Sequence, residues 1–183
     1  MNITVFLGSS MGNGETYKEK AQELGRWIAE KGHTLVYGGS KVGLMGVLAK
    51  AAVSSGGKVI GIEPSFFVEQ EKQYDSVTEL IVTNDMEERK EKLLQMGDAF
   101  VAFPGGTGTL EEISQAISQS RLGFLNKPCI FYNIEGYYDT LREMFDRMEE
   151  DGFLSKEDRK KIAFLSSIDE IGTKLGIEEG GSV

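Results

Sequence analysis

An open parallel β-sheet covered by helices on both faces is what this sequence predicts, and three observations predict it. Short, β-prone apolar runs alternate with amphipathic helical stretches along the chain. Three strand ends run straight into glycine-rich junctions, at residues 8–14, 38–43 and 104–109. The length of 183 residues and the hydrophobic fraction of 40% suit one domain, expected to span residues 1–183. Right-handed crossovers between such elements make a Rossmann-like, doubly wound α/β fold, in which the three glycine loops should converge on one cleft at the carboxyl ends of the strands.

Taken in order, residues 3–7 are strand-like and end in Gly8-Ser-Ser-Met-Gly-Asn-Gly14, a phosphate-type turn of glycines and small hydroxyls. Residues 15–31 read as a helix with Ala21, Leu24 and Ile28 on one face, and Gly32 is placed to end it. A strand at 34–37 stops at Gly38-Gly-Ser-Lys-Val-Gly43, ahead of a helix over 44–54. Further strands fall at 58–62 and 77–82. The connection between them, residues 63–76, is too long for an ordinary α/β link and carries Phe66 and Phe67, so it reads as a lid or a partner-contacting segment. Asn84 or Asp85 caps a helix to about residue 95. On that helix Arg89 and Lys90 interrupt an inward stripe bounded by Met86 and Leu93.

The strand at 98–103 leads into Pro104-Gly-Gly-Thr-Gly-Thr-Leu-Glu-Glu112, and Leu110, Ile113, Ala116 and Ile117 then recur at helical spacing to about residue 120. A strand at 127–132 and an amphipathic helix at 137–150 follow. The remainder holds one short helix, an apolar run at 162–165, a last helix near 169–175, and a polar tail expected to fray from about residue 177.

The stretch 104–112 carries the chemistry. Its glycines allow close approach to bare backbone, and the helix start offers unpaired N–H groups, which together suit a phosphate. Glu111 and Glu112 oppose that use, because carboxylates beside a phosphate cradle repel the anion unless they serve a reaction. Their bland role is to complement the helix dipole, worth about 0.3–1 kcal/mol. Glu112 lies four residues before Ala116, nearer the buried face, and is the better catalytic candidate. For Arg89 and Lys90 the bland role is a snorkelling pair on a solvated face, which their place inside an apolar stripe disfavours. His33, the single histidine, reads as structural, and Cys129, the single cysteine, as a core residue, which excludes an intrachain disulfide and a cysteine metal site.

With 20 basic against 29 acidic residues, the net charge of -9 opposes extended contact with nucleic acid or an anionic membrane, though not with one small phosphate ligand. The chain shows no basic, cleavable leader and no apolar run of membrane-spanning length, so a cytoplasmic location is expected.

Taken together, the 104–112 stretch, Met86-Glu-Glu-Arg-Lys90 and Gly38-Gly-Ser-Lys-Val-Gly-Leu-Met-Gly46 resemble the LONELY GUY (LOG) family. The likeness covers nearly the whole chain and takes in Gly8-Ser-Ser10, Lys127-Pro128 and Asn133-Ile-Glu-Gly-Tyr-Tyr138. The resemblance implies hydrolysis of cytokinin-type nucleoside 5′-monophosphates, and often of AMP, to free base and ribose 5-phosphate. It places Arg89 and Glu112 in catalytic roles, and Lys90, Glu111, Gly105, Gly106, Thr107, Gly108 and Thr109 on substrate, with Gly8, Ser9 and Gly39 from the other two loops. A further family glutamate corresponds to Glu71. Glu87 stands where relatives commonly have histidine, and Thr107 where they often have an aromatic residue.

The resemblance also implies a homodimer or larger assembly, for which Leu122, Phe124 and Leu125 offer an apolar surface. No metal or redox cofactor is needed for the chemistry. An older label for such proteins, lysine decarboxylase, finds no lysine context for a pyridoxal-phosphate Schiff base here. The rival reading is a nucleotide-binding or sensing module of the same fold without turnover. The acidic pair separates the two, since an anion binder gains nothing from Glu111 and Glu112.

Overall fold

A computed structural model describes residues 1–70 and 72–177; Glu71 and residues 178–183, most of the tail expected to fray, lie outside the described residues. The chain runs through β1 (Asn2–Phe6), α1 (Thr16–Glu30), β2 (Thr34–Tyr37), α2 (Gly43–Ser54) and β3 (Lys58–Pro64). A four-residue helix, α3 (Ser65–Val68), opens the long connection to β4 (Glu79–Thr83). Next come α4 (Met86–Met96), β5 (Ala99–Ala102), α5 (Thr107–Arg121), β6 (Cys129–Tyr132), α6 (Asp139–Glu150), α7 (Lys156–Lys161), β7 (Ile162–Leu165) and α8 (Ile168–Leu175).

The strands form one seven-stranded sheet in the order β4-β3-β2-β1-β5-β6-β7, and every pairing is parallel. Apolar side chains on both sides of the pleat explain the coverage. On one face Ala21, Leu24 and Ile28 of α1, Leu48 of α2 and Ile171 of α8 pack with Ile3, Leu35 and Tyr37. On the other, Leu93 of α4, Ile113 and Ala116 of α5 and Phe145 of α6 pack with Phe6, Phe100 and Phe131. The doubly wound α/β architecture expected from the alternating pattern is the one observed. Strand order reverses beside β1, which lies between β2 and β5, so the crevice of this sheet opens there.

Local differences have local causes. α6 starts at Asp139 rather than at 137 because residues 134–136 form a 3-10 turn with Glu135 at φ 51°, and the Asn133 side chain accepts from the Tyr138 N–H. The buried stripe of α5 begins at Thr109, and Leu110, read as part of it, is exposed. Thr109 is four residues before Ile113 and so stands above it on the same face, whereas Leu110 is rotated outward. Met86 is likewise exposed, so the inward face of α4 is Arg89, Leu93 and Leu94. Asp85 is the residue that caps α4, accepting from the Glu88 N–H at 2.9 Å.

Candidate active site

The three glycine loops meet above β1, β2 and β5. The Phe103 N–H donates to Phe6 O at 2.9 Å, which brings the loops after β1 and β5 together. They touch through backbone: a Cβ on Gly105 would lie 2.9 Å from Gly8 N, and one on Gly43 only 2.1 Å from Ser9 O. Glycine is therefore required at both crossings by space, and at Gly43, with φ 60°, by conformation as well. Two tyrosines after β6 pin the central loop from outside. Tyr137 Oη donates to Gly105 O at 2.6 Å, and Tyr138 Oη donates to Phe103 O at 2.8 Å. Their motif is visible in the sequence, but this anchoring depends on a contact 32 to 35 residues away along the chain.

At the start of α5, Gly106 occupies the N-cap and supplies no side-chain cap, so the first-turn N–H groups of Thr107, Gly108 and Thr109 have no cap from that residue. Facing them is the charged face of α4. Arg89 is buried; its Nε donates to Ile62 O at 3.1 Å and its Nη1 to Glu112 Oε1 at 2.7 Å. A Cβ on Gly38 would come within 2.1 Å of Arg89 Nη2, so the second loop also shapes the guanidinium slot. Burial pushes the Glu112 carboxyl above the ordinary glutamate value, and Arg89 opposes that push through charge and hydrogen bond. Lys90 Nζ contacts Glu111 at 2.8 Å and Glu87 at 2.5 Å, and these hydrogen bonds, the one to Glu111 foremost, raise the lysine further. Glu87, at the position where histidine was expected of relatives, thus has a partner of its own.

These groups enclose a cleft of about 270 Å³. Gly8, Ser9, Arg89, Lys90, Gly106, Thr107, Gly108, Thr109, Glu111 and Glu112 all line it, together with Leu7, Met45 and Met86. Gly105 lines an adjoining hollow with Tyr17 and Tyr137. Gly39 lines neither; it sits at φ 84° against Glu63, and its neighbours Gly38 and Ser40 line a third hollow instead. Glu71 lies outside the described residues.

One residue of the site escapes sequence reading. Glu63 is 2% exposed, its Oε2 has no hydrogen-bond partner among the described residues, and it lines the third hollow beside Phe67, Lys72 and Arg89. Burial pushes its carboxyl up to about 7 against the opposing pull of Arg89 and Lys72. The available signal is an acid at the carboxyl end of an otherwise apolar strand, which a parallel sheet aims at its crevice; composition alone places it first in the connection that follows.

Among the described residues no group of three or more His, Cys, Asp or Glu is arranged to hold a metal, and no helix is long and apolar enough to cross a membrane.

Known proteins resemble this chain over most of its length. Residues 45–175 match the family described as possible lysine decarboxylase. The chain is 41% identical over 169 residues to the cytokinin riboside 5′-monophosphate phosphoribohydrolase of Rhodococcoides fascians, covering 92% of this chain and 85% of that one. It is 40% identical over 173 residues to the enzyme of the same name, LOG1, from Arabidopsis thaliana, covering 94% and 81%. Among solved structures it is similar to the molybdenum cofactor binding protein of Rippkaea orientalis, with a TM-score of 0.70, 26% identity and coverage of 95% and 96%. The molybdenum cofactor carrier protein of Chlamydomonas reinhardtii, at 23% identity, TM-score 0.72 and coverage of 96% and 95%, shares the fold. With its three loops, its Arg89–Glu112 pair and relatives near 40% identity over most of both chains, the chain belongs to the LOG family of cytokinin riboside 5′-monophosphate phosphoribohydrolases.

Proposed function

We propose that this protein hydrolyses the N-glycosidic bond of an adenine-type nucleoside 5′-monophosphate, of the cytokinin kind or AMP, to free base and ribose 5-phosphate. The observation that carries the reading is the Arg89–Glu112 pair lining one cleft together with the open start of α5. The 5′-phosphate sits on the N–H groups of Thr107, Gly108 and Thr109, where the helix dipole favours an anion. That placement brings the ribose toward Glu112. As the bond from C1′ to the base nitrogen breaks, its electron pair leaves with the base and positive charge grows on the ribose. The Glu112 carboxylate stabilises that charge and takes a proton from the attacking water, whose oxygen bonds to C1′. The departing base takes up one proton from solvent and Glu112 returns the water-derived proton to solvent, so that water is consumed overall and both products are neutral at the broken bond. Arg89 keeps Glu112 ionised and oriented, and it stays fixed through Ile62 O.

The names of the relatives support the same substrate class. Incubating the purified protein with AMP, N6-isopentenyladenosine 5′-monophosphate and adenosine, and resolving free base by chromatography, tests the reading. Base is expected from the nucleotides and little from adenosine. Tight nucleotide binding with no base released would instead favour a sensing module. For the assembly we propose a homodimer or larger, supported by the exposure of Leu122 (67%) and Phe124 (76%) just beyond α5.

A further inference from the structure

The third hollow, about 250 Å³, shares Ser9, Met45 and Arg89 with the main cleft and so continues it. Each space alone is small for a ligand site; joined they fall within the range of roughly 300–1,000 Å³ usual for one. Glu63 is built into its wall with Oε2 unpartnered among the described residues. Among the donors around it, Tyr37 Oη donates to Gly39 O at 3.0 Å, Arg89 Nε and Nη1 serve Ile62 O and Glu112, and Lys72 Nζ stands over the Phe67 ring, 5.0 Å from its centre. A buried carboxyl oxygen with no partner is costly, and a site that keeps one is completed by something that brings an N–H or O–H. Met45 and Phe67 give the hollow apolar surface, while Ser9 and Ser40 add small polar groups. Apolar surface with one strong acceptor suits a flat heterocycle bearing an amino group.

Resting on the reading of the main cleft as a nucleotide site, we propose that Glu63 is a specificity-determining residue that accepts a hydrogen bond from the exocyclic amine of the base. Ionised or protonated, the carboxyl keeps an acceptor oxygen, which matters because burial brings its titration to about 7. A 6-amino purine satisfies it. A 6-oxo purine places a second acceptor against Glu63 and leaves both oxygens without a proton between them when the carboxyl is ionised. An N6-alkylated adenine retains one N–H and remains acceptable.

The test compares AMP with inosine 5′-monophosphate, which differs at that position. The native protein should favour AMP by about 100-fold or more in kcat/KM, as expected where a buried acceptor would be left unpaired. Glu63→Gln offers an amide that both donates and accepts, so it should lower that ratio by about 10-fold or more, mainly through a lower KM for the 6-oxo nucleotide. Glu63→Met, which removes both oxygens, should also lower the ratio, mainly by weakening AMP. Calorimetric binding of both nucleotides gives the same ratio without turnover, so absence of hydrolysis, which would defeat the proposed function, leaves this inference separately testable. Thermal melting identifies the folded variants. A ratio within about 2-fold of the native value in a folded Gln or Met variant would overturn the proposal and leave Glu63 a structural acid capped by water.

Discussion

Arg89 on α4 and Glu112 on α5 meet at 2.7 Å, with their side chains 10% and 12% exposed, in the wall of the cleft. Such a pair is nearly desolvated yet still within reach of a ligand. Its members depend on each other: removing one partner of a buried pair strands the other at a cost of about 3–5 kcal/mol. The second contact of Arg89, to Ile62 O, ties this electrostatic unit to the end of β3.

The pair makes a prediction about pH. Burial raises the Glu112 carboxyl above the ordinary value of 4.5, and Arg89 pulls it back. Activity that needs ionised Glu112 should rise with pH as the proton leaves, with a midpoint above the ordinary value. In Arg89→Met the restraining cation is gone, so the midpoint of the residual activity should move further up. Profiles of kcat/KM against pH for both proteins check this; a midpoint that moves down would contradict the assigned coupling.

Gly105 and Gly106 should respond in opposite ways to the same substitution. A Cβ on Gly105 would meet Thr109 Oγ1 at 2.2 Å and Gly8 N at 2.9 Å, so Gly105→Val should destabilise by roughly 1–3 kcal/mol or more. At Gly106 an added Cβ meets nothing within 4 Å and φ is -91°. Gly106→Val should therefore fold with a loss of no more than about 1 kcal/mol, the N-cap preference for glycine over valine, while filling the phosphate position and abolishing turnover. Thermal unfolding together with base release separates the two effects.

Glu63 should make stability fall with rising pH. Its carboxyl titrates near 7 when folded against 4.5 ordinarily, so over that window the unfolded chain binds fewer protons and the folded state is progressively penalised. The stability is present below about 4.5 and lost as pH rises through 7, to an extent of up to about 3 kcal/mol. Glu63→Gln cannot ionise, so its melting temperature relative to the native protein should improve more at pH 8 than at pH 5. The reverse order would show that the carboxyl is not desolvated.

The apolar surface beyond α5 should hold copies of the chain together. Light scattering of the native protein should give the mass of a dimer or more, and Leu122→Asp with Phe124→Asp should reduce it. A monomeric native mass with full activity would refute the assembly.

Much of this was legible in the sequence because it is local. Strands β1, β2 and β5 and their glycine loops follow from period and composition over a few residues, and the Asp85 cap from its place before a helical run. That Arg89 faces inward followed from its spacing to Leu93. What escaped depends on packing between distant segments. The burial of Glu63 comes from Gly39 pressing on it from the neighbouring strand's loop, and the anchoring of Gly105 comes from Tyr137 beyond β6. The error at Leu110 arose because an apolar residue outranks threonine in any periodicity count, although Thr109 is the one buried beneath Gly105.

The central claim is that Glu112 acts on charge present only in the transition state. Measuring base release and calorimetric AMP affinity on the same preparation of Glu112→Gln tests it most directly. Turnover should fall by about 10²–10⁴-fold, the usual contribution of a positioned acid or base, while affinity stays level or improves because a negative charge near the phosphate is gone. Turnover at the native rate would contradict the account, reducing Glu112 to a helix-terminus acid and passing the catalytic assignment to Glu111.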